Sequence, residues 1–293
     1  MKTIYLLIPL LTAAGTGFGQ MQQLNRTAMK APESVCIHGS DYYISDTGGD
    51  PTKKDGDGIL YKMNSNGDVT VFASGLDSPK GTWVLHNILY TPDVDKIKGF
   101  DLSTGKQVFT LDMAATGSVL LNDIAPMNDS TVFVSATDIN KVYIVHLGAQ
   151  PRYEELVFDN PVKGANGVIY DNKRQRLYVC GFGANGTPNG EIGYVDLAQK
   201  NRKFVRLTER TGYYDGIALS KHNTLLISDW VAFEKKGVVL EVDLKTGKTT
   251  TVNKEPISGP ADFTLNKQGD VVTPAMMEGN VLLLAKPQSS KER

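Results

Sequence analysis

The chain has 293 residues, with 31 basic side chains against 32 acidic ones and a formal net charge of −1. That balance leaves no electrostatic footprint for nucleic acid or for an anionic membrane surface. Its 29 glycines are scattered rather than gathered in tracts, as a fold with many tight turns requires.

Residues 1–19 read as a secretory signal. Lys2 is the basic start, Ile4 to Leu11 the apolar stretch, and Gly17-Phe18-Gly19 the small-x-small cleavage signal before Gln20. The apolar run is too short to span a bilayer, and no cysteine follows it to carry a lipid. The expected product is an exported protein, periplasmic or extracellular, with residues 20–293 forming a single domain. Cys36 and Cys180 are its two cysteines. They fall in repeat copies that face each other across a ring, and a bridge needs Cα atoms within about 7 Å, so both are expected to be free.

From residue 32 onwards one pattern recurs. The opening strand of each copy has its first core residue at Val35, Thr82, Ile124, Val168, Ile217 and Phe263, at intervals of 42–49 residues. Each copy reads as four short strands with turn residues between them, the period of a propeller blade. Copy five is the clearest: Asp215 to Leu219, Thr224 to Trp230, Val238 to Asp243 and Thr249 to Val252. Copy six has three strands and then runs into Lys286-Pro287-Gln288, so a segment between Met21 and Lys30 is expected to supply the fourth. Such pairing of the two ends closes the ring and removes exposed strand edges. The sequence therefore predicts an all-β, six-bladed propeller with four-stranded blades, its last blade closed by the N-terminal strand. A monomer is the default for such a closed ring.

Two residues before each alignment point stand Glu33, Lys80, Asn122, Asn166, Asp215 and Ala261. The innermost strands of a propeller all begin on one face, so these openers are expected near the mouth of the central channel. Glu33, Asn122, Asn166 and Asp215 make an oxygen-only set suited to a hard divalent cation. Ca²⁺ is the first choice, with Mg²⁺, Mn²⁺ or Zn²⁺ as alternatives. The surrounding loops, Asp46 to Gly58, Gly181 to Gly190 and Asp229 to Gly237, read as polar. Asp46, Asp93 and Asp229 read as turn caps. The four histidines, His38, His86, His146 and His222, fall at strand ends or turns, away from the openers.

The openings Pro32-Glu33, Leu121-Asn122-Asp123, Ala165-Asn166-Gly167 and Tyr214-Asp215-Gly216 resemble the regucalcin/gluconolactonase family of senescence-marker-type propellers. That resemblance implies a six-bladed propeller with one divalent metal in its channel and, in many members, hydrolysis of sugar lactones. It implies Glu33, Asn166 and Asp215 as metal ligands, Asp215 also as base, and Asn122 as a contact to water or substrate. Lys80, Asn122, Asp123 and Asp262 are the candidate substrate-facing residues. The first Glu is followed here by Ser34-Val35-Cys36, where family members usually have Gly-Pro and an aromatic. The expected function is thus metal-dependent hydrolysis of a small polar ester, most simply a sugar lactone, by metal-activated water. The alternatives are a non-catalytic propeller of the NHL type that binds a ligand or partner, and a propeller of the strictosidine-synthase type, which shares the ring but not the metal chemistry.

Overall fold

A computed structural model describes residues 21–285; the segment 1–19, read above as a secretory signal, and the tail from Lys286 lie outside the described residues. After β1 (Met21–Gln23), the chain lays down five complete antiparallel blades and three strands of a sixth. Blade one is β2 (Pro32–His38), β3 (Asp41–Asp46), β4 (Gly58–Met63) and β5 (Val69–Leu76). Blade two is β6 (Trp83–Leu85), β7 (Ile88–Asp93), β8 (Lys96–Asp101) and β9 (Gln107–Asp112). Blade three runs through β10 (Leu121–Asn128), β11 (Thr131–Ala136), β12 (Lys141–His146) and β13 (Arg152–Glu155). In blade four come β14 (Ala165–Asp171), β15 (Arg176–Gly181), β16 (Ile192–Asp196) and β17 (Phe204–Arg206). Blade five holds β18 (Tyr214–Leu219), β19 (Thr224–Asp229), β20 (Val238–Asp243) and β21 (Thr249–Thr251).

Blade six contributes β22 (Thr264–Leu265), β23 (Val271–Ala275) and β24 (Asn280–Leu284), and β1 adds to β24 with Met21 opposite Leu284. The predicted closure by the N-terminal segment is therefore present. Asn25 locks it: its amide donates to the Gly279 carbonyl at 3.1 Å, and its oxygen accepts the Val281 N–H at 2.8 Å.

Six apolar clusters hold the ring, one at each blade–blade junction. At the junction of blades three and four, for example, Phe133 and Val142 pack on Val168, Leu177 and Val195. Tyr178, Ile192, Ile217, Leu225 and Leu240 fill the next junction. Second strands are sandwiched between neighbouring blades, which is why Thr131–Ala136 reads as an unbroken buried run. Each fully buried Leu, Ile or Val in these clusters contributes about 1.5–3 kcal/mol. Closing the ring matters because every blade needs a neighbour on both faces.

The histidines lie where the sequence places them, and one is a turn device. His86 and Asn87 both adopt positive φ, 48° and 65°, between β6 and β7, the backbone of a two-residue hairpin turn. Both cysteines are free and buried.

Candidate functional site

The openers owe their position to a repeated irregularity. In β2, β10, β14 and β18 the inner strand carries one residue more than its partner strand over the same stretch. Pro32 faces Asp46 while Ser34 already faces Ser45, and Tyr214 faces Asp229 while Ile217 faces Ile227. Such a bulge interrupts the ladder and re-aims a side chain. At these four places the re-aimed residues are Glu33, Asn122, Asn166 and Asp215. Lys80 and Ala261 occupy the corresponding positions of blades two and six, each one residue after a bridge to the end of the second strand (Pro79 to Asp93, Pro260 to Ala275).

Hydroxyls on the second strands take up the backbone groups that the bulges leave over. Ser45 Oγ accepts the Ser34 N–H at 3.0 Å, Ser135 Oγ the Asp123 N–H at 2.9 Å, and Ser228 Oγ the Gly216 N–H at 2.7 Å. Ser228 Oγ in turn donates to the Ala261 carbonyl of the next blade at 3.0 Å. Cys180 stands in the same place in blade four, its Sγ donating to the Asp215 carbonyl at 3.2 Å. Direct bonds between inner strands add to this: Asp262 N–H to the Glu33 carbonyl at 2.9 Å and Gly81 N–H to the Asn122 carbonyl at 3.1 Å.

The glycines after Asn166 and Asp215 are there for close approach. Neither has a positive φ. A Cβ on Gly167 would lie 2.3 Å from the Asp215 carbonyl oxygen, and one on Gly216 would lie 2.7 Å from Asp262 Cα. Asn-Gly and Asp-Gly are packing pairs here, not turns.

All four polar openers are buried, and each has one oxygen with no hydrogen-bond partner: Glu33 Oε2, Asn122 Oδ1, Asn166 Oδ1 and Asp215 Oδ1. Buried polar atoms are ordinarily paired, and leaving one unpaired costs about 1–3 kcal/mol. Four such acceptor oxygens stand at equivalent positions of four blades and make up a cradle. In Asp215 and Asn122 the other side-chain atom is anchored. Asp215 Oδ2 accepts the Trp230 indole N–H at 2.9 Å. Asn122 Nδ2 donates to Thr137 Oγ1 at 3.1 Å, and Thr137 Oγ1 donates to the Ala165 carbonyl at 2.9 Å. Because that hydroxyl proton is already used, the Asn122 amide must present its nitrogen to Thr137 and its oxygen to the axis.

Burial holds the carboxyl groups of the site toward their protonated forms. Burial raises the Glu33 carboxyl well above the usual range, helped by Asp215 and Asp262 and opposed by Lys80. Burial also raises Asp215 to about 7, with Asp123 adding to the rise and the Trp230 indole opposing it. Asp262 is raised well above normal by burial and then by Asp123, while burial lifts Asp123 itself to about 6. Among the described residues no group of three or more His, Cys, Asp or Glu forms a metal-type cluster. The axial set instead joins two carboxylates to two amides, and this donor chemistry fits a hard cation.

Lys80 is buried beside the ring, and its three ammonium donors meet Pro51 O at 2.8 Å, Ser78 Oγ at 3.0 Å and Ser78 O at 3.1 Å. It thereby pins the loop between β3 and β4 over the mouth. Burial lowers it to about 8, against the pull of Glu33, Asp93 and Asp215. Asp123 and Asp262 stand one residue deeper than the openers. The Asp123 carboxylate accepts the Ile124 and Val168 N–H groups at 2.6 and 2.7 Å, and Asp262 accepts Ser34 Oγ at 2.5 Å. Both line a narrow axial cavity of about 30 Å³ with Val35, Thr82 and Ile217. A larger cleft, about 440 Å³, involves Gly39, Lys221, His222 and Gln268, in the turns at the far ends of the inner strands.

Asp46 and Asp229 cap turns, accepting the Gly48 and Val231 N–H groups at 2.9 Å each, while Asp93 shows no such cap among the described residues; Asp46 and Asp93 also bond elsewhere. Asp46 accepts the Lys30 N–H at 2.8 Å as well as that of Gly48, and Asp93 accepts those of Asp77 and Ser78. Each thus ties down the chain just before its own blade's opener. Polar mouth loops are expected from the sequence, but blades four and five depart from this. There Phe182, Tyr213, Trp230 and Phe233 form a cluster of rings, with Trp230 bonded to Asp215. Sequence reading misses it because the four residues come from three separate segments.

No protein-family model matches the chain, and neither does any curated protein sequence. Solved structures do. A structural genomics protein of unknown function from Bacteroides thetaiotaomicron superposes with a TM-score of 0.69 at 10% identity, over 91% of this chain and 72% of the other. A luciferin-regenerating enzyme follows with 0.67 and 11%, over 91% and 95%. Virginiamycin B lyase from Staphylococcus aureus gives 0.57 and 12%, over 92% and 89%. At such identities the likeness establishes the propeller fold, whose structural neighbours here include enzymes.

Proposed function

We propose that the axial cradle binds one divalent cation, Ca²⁺ in the first instance, and that the protein hydrolyses a small ester or lactone there. The carrying observation is the set of four buried, unpartnered oxygens on Glu33, Asn122, Asn166 and Asp215. Glu33, Asn166 and Asp215 would hold the ion, and Asn122 would direct its oxygen at the same point. When bound, the ion supplies Lewis acidity to the substrate carbonyl and orders water beside it.

The chain's own groups do the rest. Trp230 fixes Asp215 Oδ2, so Oδ1 is the atom that can take a proton from the attacking water. Asn122, held by Thr137, orients water or the carbonyl oxygen. The water oxygen joins the acyl carbon, the ring C–O bond breaks, and the proton held at Asp215 passes to the departing alkoxide. Lys80 holds the covering loop through Pro51 and keeps a positive charge near the carboxylates. The N-terminal signal features favour export and action outside the cytoplasm.

The test is calorimetric titration of Ca²⁺ and Mn²⁺ into the mature protein and into a Glu33→Ala, Asp215→Ala double variant, with circular dichroism as the folding control. Binding by the wild type that disappears in the folded double variant supports the cradle; a lactone panel then follows. No binding by a folded wild type overturns the reading. Cation binding without turnover leaves a non-catalytic binding propeller.

A further inference from the structure

The loop from β15 to β16, the residue before β18 and the loop from β19 to β20 bring four rings into mutual contact. Phe182 lies 5.2 Å from Tyr213 and 5.6 Å from Trp230, centroid to centroid. Phe233 closes the group at 5.5 Å from Tyr213 and 5.7 Å from Trp230. The pairs are tilted or edge-to-face, the arrangement aromatic quadrupoles favour. Tyr213 and Trp230 are buried, but Phe233 is 59% exposed. Among the described residues it is the only aromatic in the set of large hydrophobics left exposed, and two of the others belong to the same loop or lie near Trp230. Val231 is 39% exposed, and Met277 is 58% exposed. Met277 continues the surface past Trp230, since a Cβ on Gly259 would meet Met277 Cγ and Trp230 Cη2 at 3.0 Å each.

This surface adjoins the cradle. Trp230 holds Asp215 at 2.9 Å, and Tyr213 precedes Asp215 by two residues. The two polar handles of the cluster are both used inside the protein: the indole N–H by Asp215, and the Tyr213 hydroxyl by the Gly186 carbonyl at 2.6 Å. The rings therefore offer hydrocarbon to a ligand and no free hydrogen-bond donor of their own. A polyhydroxylated sugar lactone finds no donor on these rings, and burying its hydroxyls against them unpaired would cost affinity. Val231 reinforces the reading. Its φ of 60° is costly for a β-branched residue, and strain of this kind gathers at functional sites.

We infer that the Phe182, Tyr213, Trp230 and Phe233 cluster, extended by Val231 and Met277, is the acyl- or ring-binding wall of the site. The substrate class is then an ester or lactone carrying an aryl or alicyclic group, rather than a bare sugar lactone. This inference rests on the cation-dependent hydrolase reading for its chemistry, but its binding component can be tested separately.

The experiment uses the mature, Ca²⁺-supplemented protein with Phe233→Ala and Met277→Ala, both on the wall and neither among the cradle residues. The substrates are δ-valerolactone, a phenyl-substituted δ-valerolactone and δ-gluconolactone. The inert ketone 2-phenylcyclohexanone serves as a binding probe by calorimetry. For wild type, kcat/KM on the phenyl lactone should exceed that on the plain lactone by about 10-fold or more, the discrimination an apolar contact supplies. Phe233→Ala should remove most of that advantage through KM, costing the phenyl lactone far more than δ-valerolactone, and weaken the ketone in parallel. Equal loss on both lactones, or a preference for δ-gluconolactone, overturns the inference. If nothing is hydrolysed yet the ketone binds in a Phe233-dependent way, the hydrolase reading falls and the apolar wall stands. If the ketone does not bind, the wall is not a ligand site. Concentration-dependent dimerisation abolished by Phe233→Ala, without ketone binding, would make it a contact between copies of the chain instead.

Discussion

The Trp230 indole N–H donates to Asp215 Oδ2 at 2.9 Å and leaves Asp215 Oδ1 buried without a partner. One oxygen is fixed and the other is presented to the axis. Trp230 stands one residue past the end of β19, and Asp215 is the second residue of β18, so the pair sits across the mouth of a single blade. Trp230→Phe keeps a ring in the cluster but removes the donor. It should destabilise the protein by about 1–3 kcal/mol and weaken Ca²⁺ binding several-fold. Chemical denaturation and calorimetry read the two effects; an unchanged affinity would mean that the indole does not position the carboxylate.

Lys80 is the other residue that sets the charge of the cradle, and it opposes a cation. Lys80→Met retains most of the buried stem while removing the ammonium. Calcium affinity should rise, and the loop carrying Pro51 should loosen because its carbonyl loses a donor. Titration combined with hydrogen exchange over residues 47–57 checks both. Weaker binding in the variant would assign Lys80 a supporting role that this charge argument excludes.

Stability should depend on pH in two windows of opposite sign. Asp215 is raised to about 7 and Asp123 to about 6, so between about pH 4 and 7 the folded chain holds protons that the unfolded chain has released. The stability slope there is negative, and the metal-free protein should become less stable as pH rises through that range. Lys80, lowered to about 8, works the other way. Between about pH 8 and 10 the unfolded chain keeps a proton that the folded chain has lost, so this term gains stability with pH. Calcium at 100 times its Kd should add about 2.7 kcal/mol, with the largest effect above about pH 7, once Asp215 has lost its proton. Melting curves with and without a chelator, from pH 5 to 9, test this; a calcium effect that shrinks on going from pH 5 to 7 would contradict it.

Gly167 should tolerate no side chain. A Cβ there would sit 2.3 Å from the Asp215 carbonyl oxygen and 2.9 Å from Cys180 Sγ, and neither is a flexible tip. Gly167→Ala should cost about 2 kcal/mol or more, because the inner strands of blades four and five must separate. Gly148→Ala, where nothing lies within 4 Å and φ is not positive, should change stability by less than about 0.5 kcal/mol. Equal effects in the two variants would remove the close-approach argument.

Much of this was legible in the chain itself. The spacing of Val35, Thr82, Ile124, Val168, Ile217 and Phe263 carries the blade count, because each blade must repeat the same buried strand pattern to face two neighbours. The missing fourth strand of the last copy points to the segment from Met21 to Lys30 for the same reason, an edge left open having to pair, and the structure narrows it to Met21–Gln23. Glu33, Asn122, Asn166 and Asp215 could be named as a set from their equivalent positions alone. Tertiary structure decided the rest. The bulges that aim the openers appear only once strand registers are fixed, since a one-residue excess is invisible in a single strand. The reason for Gly167 lies in a neighbouring blade, not in its own backbone. Trp230 meets Asp215, and Phe182 meets Phe233, across stretches of chain that no local pattern connects. Periodic burial is written residue by residue along the sequence, whereas the partner of a polar atom is chosen by whatever the closed ring brings beside it.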